Sequence, residues 1–189
     1  MLVPKEHNAK GVALFLLGYC KLYKLAVKGC EDFGTKEELV NKIKELTILL
    51  LNLRSKGYSG SCWGYNFDWQ ARQLFLFQKH TPTVVATCFA VEALLESYEI
   101  TKDETVLTET LSAADFVMKD LSRTQCKGGF LFSYSIKNGN NTVINASLLG
   151  AKILSYSYKY TKNESHLEVS KQAVNAACQL QEKDGSWIY

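Results

Sequence analysis

The sequence has few prolines and almost no excess of positive over negative charge. Each of these features excludes a class of protein. Only two prolines occur among the 189 residues, so no proline-rich linker divides the chain. The formal net charge is only +3, which is too small an excess for a nucleic-acid-binding surface. Apolar residues make up 47% and charged residues 22%, a composition that is typical of a folded globular protein. We therefore expect a globular protein with no nucleic-acid partner.

Long apolar runs are also missing from the sequence. The two most apolar stretches, residues 12–17 and 46–53, are well short of the ~20 residues that a membrane-spanning helix needs. The first ten residues carry charged side chains instead of the apolar centre of a secretory signal. These features predict a cytoplasmic protein with no membrane span.

The motifs of the common cofactor and metal sites are absent as well. The six cysteines are scattered and form no C-x-x-C pair, so we expect reduced thiols that mostly fill core positions. The sequence contains no H-E-x-x-H helix, no phosphate-binding glycine loop and no G-x-S-x-G turn. The prediction is a protein with no metal and no cofactor.

Apolar residues recur at helical spacing through most of the chain, which predicts an all-α fold. Thr35 followed by Glu37 and Glu38 is typical of a helix start, and Pro82 suits a first helical turn. Strand-like alternation is limited to a brief stretch at 130–135. The six predicted helices cover residues 9–28, 35–55, 81–99, 104–122, 143–160 and 165–181.

The chain repeats itself after 60 residues. The segment 98–104 reads Y-E-I-T-K-D-E, and the segment 158–164 reads Y-K-Y-T-K-N-E. Each repeat predicts two helices joined by a short turn, and such a helical hairpin buries its apolar face only by stacking on a neighbour. We expect one domain over residues 1–189, with consecutive αα-hairpins at about 9–55, 81–122 and 143–181.

A glycine and an aromatic residue follow each predicted hairpin. The three loops are G-S-C-W-G-Y at 60–65, G-G-F-L-F at 128–132 and G-S-W-I-Y at 185–189. Gln181 precedes the last loop and completes the pattern Q-x-x-x-G-x-W. Glycine permits a tight turn after a helix, and the aromatic ring can fold back onto it. These loops are first of all expected to fasten the hairpins structurally.

Helical hairpins separated by Q-x-x-x-G-x-W resemble the α/α-toroid superfamily, which includes terpenoid cyclases and protein prenyltransferase β chains. The segments W-G-Y-N-F-D-W-Q at 63–70, T-P-T-V-V-A-T at 81–87 and N-A-S-L-L-G at 145–150 are most similar to poorly characterised bacterial toroid proteins associated with polysaccharide synthesis. The resemblance implies a ring of six hairpins, of which this chain has three. It therefore implies an incomplete toroid or arc, with self-association or a missing C-terminal half to cover its ends.

The most unusual stretch of the sequence is the loop from residue 63 to residue 80, where aromatic and polar residues alternate. Aromatic rings stack on the apolar faces of sugars, and polar groups bind their hydroxyls. We therefore predict a saccharide ligand here, with Asp68 as a candidate acid/base and His80 as a proton carrier. The predicted sugar-binding residues of this loop are Trp63, Tyr65, Asn66, Trp69 and Arg72. The alternative is that Trp63, Phe67 and Trp69 pack in the core and that Asp68 pairs with Arg72.

Two candidates lie outside this loop. Asn145 stands where Val85 stands in the preceding repeat, at the start of an otherwise apolar helix. A polar residue there needs a partner or faces a cavity. Tyr134 carries a hydroxyl that can face the same cavity, although a surface position suits it equally well. Both are added to the predicted saccharide site.

The sequence leaves three functions open. The first is a carbohydrate-related toroid protein, which includes an enzyme of bacterial polysaccharide metabolism whose reaction the sequence does not assign. The second is a non-catalytic interaction or scaffold module. The third is an isoprenoid-handling toroid, which the absence of D-D-x-x-D and D-x-D-D segments disfavours. A two-carboxylate glycosidase would need a second acid near Asp68.

Overall fold

The computed structural model describes residues 5–71, 75–137 and 142–188, and most of them are helical. The elements are, in order, α1 (Ala9–Val27), α2 (Lys36–Asn52), β1 (Trp69–Ala71), β2 (Phe75–Phe77), α3 (Val84–Thr101), α4 (Glu104–Leu111), the short α5 (Ala113–Asp115), a π-helical turn (Phe116–Asp120), β3 (Arg123–Cys126), β4 (Gly129–Phe132), α6 (Ile144–Thr161) and α7 (Glu164–Gln179). Both sheets are antiparallel pairs, β1 with β2 and β3 with β4.

The start of α2 is confirmed at Thr35. The Thr35 hydroxyl accepts the main-chain N–H of Glu38 at 3.3 Å, and the Glu38 carboxylate accepts the main-chain N–H of Thr35 at 2.9 Å. This reciprocal pair satisfies two donors that the helix leaves without an intrahelical partner. Side chains also cap the first turns of α1, α3, α4 and α7, and these are Asn8, Thr83, Asp103 and Asn163.

The repeated T-K-[DN]-E segments adopt the same turn. Lys102 and Lys162 both end a helix with left-handed backbone, at φ 55° and 57°, a conformation that commonly terminates helices. The phenol of Tyr98 donates to Glu104 at 2.9 Å, and the phenol of Tyr158 donates to Glu164 at 3.3 Å. The 60-residue repeat in the sequence is therefore matched by equivalent local structure.

Three long helices lie side by side, and we call α1, α3 and α6 the helix row. Helix α3 packs against both α1 and α6, while α2, α4 and α7 pack on α1, α3 and α6 respectively. Leu16, Leu94 and Leu154 are completely buried at these contacts. Ion pairs join neighbouring row helices: Lys24 pairs with Glu96, and Lys152 pairs with Glu92 at 2.8 Å. These contacts hold the row helices in register.

The structure corrects the sequence prediction at three places. The predicted helix 104–122 stops at Leu111 and continues as α5 and the π-helical turn. Pro82 lies before the N-cap Thr83, where it bridges to Gly64, and not in the first turn of α3. The fold is mostly helical and not purely so: β4 overlaps the first half of the short extended piece predicted at 130–135, but β1, β2 and β3 were not predicted. Within the described segments, no helix combines the length and the apolar character that crossing a bilayer requires.

Candidate functional site

Five aromatic side chains from two separate segments meet beside the first sheet, and we call them the aromatic rim: Tyr65, Phe67, Trp69, Phe77 and Tyr134. The Trp69 and Phe77 rings stack with centroids 4.2 Å apart and planes 8° apart. Tyr134 meets both rings edge-on, at 6.2 Å from Trp69 and 5.9 Å from Phe77. Stacked and edge-on contacts are the favourable geometries for aromatic pairs, so this part of the rim is a packed cluster.

The rim is buried on one side and exposed on the other. Phe77 is only 1% exposed and forms the base of the cluster. Tyr65, Trp69 and Tyr134 are half-buried, and Phe67 is 48% exposed. The Phe67 ring stacks on Tyr65 with centroids 5.6 Å apart. The rim therefore presents partly exposed aromatic surface on a support that is fixed by packing.

Backbone pairing explains how distant residues reach the rim. Trp69 and Phe77 are directly opposite each other in the β1–β2 register. The main-chain N–H of Val84 donates to the carbonyl of Tyr134 at 2.9 Å, which brings the loop after β4 to the start of α3. Gly64 lets the chain pass close to Thr81, because a Cβ at Gly64 would lie 2.2 Å from the Thr81 carbonyl oxygen.

The rim sits at the N-terminal ends of α1 and α3. Asn8, the N-cap of α1, donates from its side chain to the Asn66 side chain at 3.0 Å. The Asn66 amide in turn donates to Glu6 at 3.4 Å. Asn66, a predicted ligand, therefore ties the rim loop to α1. The contact between Tyr134 and Val84 ties the rim to α3 in the same way.

Trp63, which was predicted to bind sugar, belongs to the core. Its side chain is fully buried, and its indole N–H donates to the carbonyl of Leu50 at 2.8 Å. Its main-chain N–H donates to the Thr87 hydroxyl at 3.1 Å. The alternative prediction, in which all three aromatic residues pack in the core, is therefore correct for Trp63. It is not correct for Phe67 and Trp69, which lie on the partly exposed rim.

Asp68 and His80 approach the same turn, but they do not form a catalytic pair in this structure. The exposed Asp68 carboxylate accepts the main-chain N–H of Lys79 at 2.6 Å. His80 is exposed in left-handed backbone at φ 64°, its N–H donates to the Tyr65 carbonyl at 2.6 Å, and its carbonyl accepts the Ser55 hydroxyl. Within residues 5–71 and 75–137, no hydrogen bond joins the Asp68 carboxylate to the His80 ring. Both residues thus fix the turn that carries the rim.

The remaining predicted residues are placed differently. Arg72 lies outside the described residues, so its predicted pairing with Asp68 is not described either. Asn145 is exposed in the first turn of α6, where α3 has Val85. Lys137 was not predicted: its ammonium lies 6.0 Å from the Phe77 ring centroid and donates to the Leu76 carbonyl at 2.8 Å. No local pattern marks this lysine, because β2 is about 60 residues earlier in the chain.

A polar cleft of about 490 Å³ lies between the end of α2 and α4, away from the rim. Arg54 and Glu109 form an ion pair there, and the Ser61 hydroxyl donates to Glu109 at 3.2 Å. The guanidinium also donates to the Leu51 carbonyl at 2.9 Å. Arg54, Ser61 and Glu109 thus bond to one another and link the α1–α2 pair to the α3–α4 pair. Their polar atoms are therefore less available to a ligand.

The described segments contain no candidate metal site, because no three His, Cys, Asp or Glu side chains in them are grouped so that they could hold an ion. Asp184, an exposed acid in the loop after α7, accepts the Ser186 N–H at 3.0 Å and the Ser186 hydroxyl at 2.7 Å within its own loop. Comparison with protein-family models finds no match, and comparison with curated protein sequences finds none either. The aromatic rim, with its stacked and partly exposed rings, is therefore taken as the candidate site.

Proposed function

We propose that this chain is a saccharide-binding protein of the α/α-toroid type, and that the sugar binds on the aromatic rim. The observation that carries the proposal is the exposure of Phe67 and the half-exposure of Trp69 on a base formed by the buried Phe77. Rigid aromatic faces bind the apolar faces of sugar rings with little loss of side-chain entropy. A rim fixed before binding therefore favours a flat, weakly polar ligand surface.

Polar groups around the rim supply the hydrogen bonds that a sugar needs. The exposed Asp68 adjoins Trp69 in the sequence, and Tyr65 and Tyr134, whose rings meet Trp69 edge-on, each carry a hydroxyl. Asn145, exposed in the first turn of α6, is assigned to the same proposed site. A few polar groups around an apolar surface are the usual composition of small-molecule sites. Trp63 takes no part, because its side chain is in the core.

The toroid part of the proposal rests on the helix row. Consecutive row helices contact each other, each packs against a second helix, and two of the connecting turns have the same left-handed lysine. In a toroid, the loops before the row helices surround one mouth. The aromatic rim occupies such loops, since it connects to the first residues of α1 and α3.

Any chemistry on the bound sugar is assigned to Asp68 as the acid/base, in the setting of polysaccharide metabolism. The separation of binding from chemistry is testable. Asp68→Asn keeps the acceptor for the Lys79 N–H but removes the ionisable group. If Asp68 is an acid/base, this variant binds the oligosaccharide normally but no longer converts it to product. Unchanged conversion of the oligosaccharide would show that Asp68 does not have that role.

The binding proposal is tested with a panel of neutral and acidic oligosaccharides in titration calorimetry. We expect saturable binding of at least one saccharide by the unmodified chain and a loss of at least about tenfold in affinity in Trp69→Ala, since truncating an aromatic anchor of a binding surface costs about 2 kcal/mol or more. The control is Phe33→Ala, because Phe33 is 61% exposed in the connection between α1 and α2. Equal loss in both variants, or binding that Trp69→Ala leaves unchanged, would contradict the proposal.

A further inference from the structure

The three row helices are repeats of one another, so the exposure of equivalent faces can be compared between them. Helix α3 begins 75 residues after α1, and α6 begins 60 residues after α3. Each position of α1 therefore has one counterpart in α3 and one in α6. Because α3 has a row neighbour on both sides while α1 and α6 contact only α3 within the row, the burial of counterpart positions shows which side of a helix each neighbour covers.

One set of positions faces forward along the row. On α1 these forward positions, Ala9, Ala13 and Cys20, are 0–2% exposed. Their counterparts on α3 are Val84, Cys88 and Leu95, which are 0–5% exposed. On α6 the same positions are more exposed: Ile144 and Leu148 are half-buried and Ser155 is exposed. The forward side is thus buried wherever a following row helix covers it.

The opposite set of positions faces backward. On α3 these rear positions, Ala90, Ala93 and Ser97, are completely buried, and on α6 Gly150, Ile153 and Ser157 are buried as well. On α1 the pattern is reversed. Phe15 is 70% exposed, Gly18 is exposed and Leu22 is half-buried. Leu14 and Leu25 beside them are 49% and 43% exposed. The rear side of α1 is therefore an uncovered apolar stripe.

The forward side of α6 continues into a second apolar surface. A cleft of about 290 Å³ borders Ile144, Leu131, Leu180 and Ile188, and Ile188 is 77% exposed. The neighbouring loop aromatic, Trp187, is 42% exposed, whereas Trp63 and Phe132 in the two equivalent loops are fully buried. The two earlier loops are each covered by the row helix that follows them.

We propose that a second copy of this chain covers these surfaces head to tail, with the rear side of its α1 on the forward side of α6. The two surfaces are opposite halves of one contact that the chain already makes twice, between α1 and α3 and between α3 and α6. In that register Phe15 and Gly18 of one copy lie near Leu148 and Ser155 of the other. Burial of apolar surface drives the association.

The charges near this contact predict how it responds to salt. Lys21 lies on α1 and Lys159 on α6, both exposed, and head-to-tail pairing brings these like charges toward each other. Screening weakens their repulsion, and salt does not weaken apolar contacts. The association is therefore expected to tighten when sodium chloride is raised from 50 to 500 mM, whereas an interface held by opposite charges would loosen.

The test is sedimentation velocity on the purified chain across a concentration series. We expect self-association in the unmodified chain and at least about tenfold weaker association in both Phe15→Glu and Ile188→Glu, because each places a charge in one half of the contact. Both substituted residues are highly exposed, so the variants are expected to fold, which circular dichroism verifies. The matched control is Ile48→Glu, at a 61% exposed position on α2, which leaves association unchanged.

A mixture of the two variants decides the direction of pairing. Phe15→Glu retains an intact α6 surface, and Ile188→Glu retains an intact α1 surface, so the mixture forms one good contact and associates where neither variant does alone. A chain that stays monomeric at about 100 μM overturns the proposal, because apolar faces that fit each other are expected to associate at that concentration. An association that Ile188→Glu leaves intact also overturns it, because that result indicates pairing of α1 with α1. The inference does not depend on saccharide binding.

Discussion

The hydroxyl of Ser147 accepts the main-chain N–H of Phe132 at 2.9 Å, as the hydroxyl of Thr87 accepts the main-chain N–H of Trp63 at 3.1 Å. Ser147 and Thr87 are counterparts in α6 and α3, and all four residues are buried. Each bond joins a glycine-aromatic loop to the row helix that follows it. The bond from the loop N–H to the helix hydroxyl is therefore a shared feature of the two repeats, in addition to the buried aromatic ring.

Replacing the Ser147 hydroxyl is therefore expected to destabilise the fold. Ser147→Ala leaves the buried N–H of Phe132 without an acceptor, at a cost of about 1–3 kcal/mol in the free energy of unfolding. Urea denaturation measures the change, and Thr108→Ala, at an exposed position of α4, is the control. Equal stability of the two variants would show that the loop is held by packing alone.

Gly64 is expected to tolerate no side chain. A Cβ there would lie 2.2 Å from the Thr81 carbonyl oxygen, so Gly64→Ala forces the rim loop away from the residues before α3, at about 1–3 kcal/mol. In Gly11→Ala the added Cβ meets only the Asn8 side chain, at 3.7 Å, and helix propensity favours alanine by up to about 1 kcal/mol. Thermal unfolding of both variants checks the difference in sign. A stability for Gly64→Ala equal to that of Gly11→Ala would contradict this account of the loop.

Thiol reactivity is expected to divide the six cysteines into two sets. Burial raises the pKa of Cys20, Cys62 and Cys88 to about 12, so at pH 8 these thiols are neutral and inaccessible. Cys178 is exposed, and Cys30 and Cys126 are half-buried. Ellman's reagent should react with about three thiols in the native chain and with all of them in denaturant. Rapid reaction of all thiols under native conditions would contradict the described core.

The stability of the chain is expected to fall between pH 7 and pH 5 because of His166. Burial lowers the pKa of His166, and the Asp115 carboxylate opposes this shift. The unfolded chain then binds the proton more readily than the folded chain, so this contribution is complete above the unfolded pKa and is lost as the pH falls below it. Chemical denaturation at several pH values measures the slope. His166→Gln should flatten it, whereas the exposed His7, replaced in the same way, should not.

The helices were predictable because their signals are local. The capping box at Thr35 and the repeated turns at Lys102 and Lys162 depend on residues only a few positions apart. The β1–β2 pair was not predictable, since each strand has three residues, too few for alternation to be recognised. The interruption of the predicted helix 104–122 also depends on a distant contact, because the Ser112 hydroxyl accepts the N–H of Ser61.

The candidate site could be predicted only in part. The aromatic loop and Tyr134 were identified, and the structure brings Tyr134 to Trp69 because the loop after β4 pairs with the start of α3. Sequence could not separate Trp63 from Trp69, since both are aromatic residues in one loop. The distinction arises from a long-range bond, in which the Trp63 indole reaches the carbonyl of Leu50.

The three tryptophans of this chain allow one direct measurement of saccharide binding. Trp63 is buried, Trp187 lies in the last loop, and only Trp69 belongs to the aromatic rim. In a chain labelled with ¹⁵N at the indole nitrogens, each tryptophan gives its own N–H resonance, which can be followed as an oligosaccharide is added. The rim predicts a saturable shift of the Trp69 resonance while those of Trp63 and Trp187 stay in place. A titration in which Trp69 does not move, or in which only Trp187 does, would contradict a sugar site on the rim.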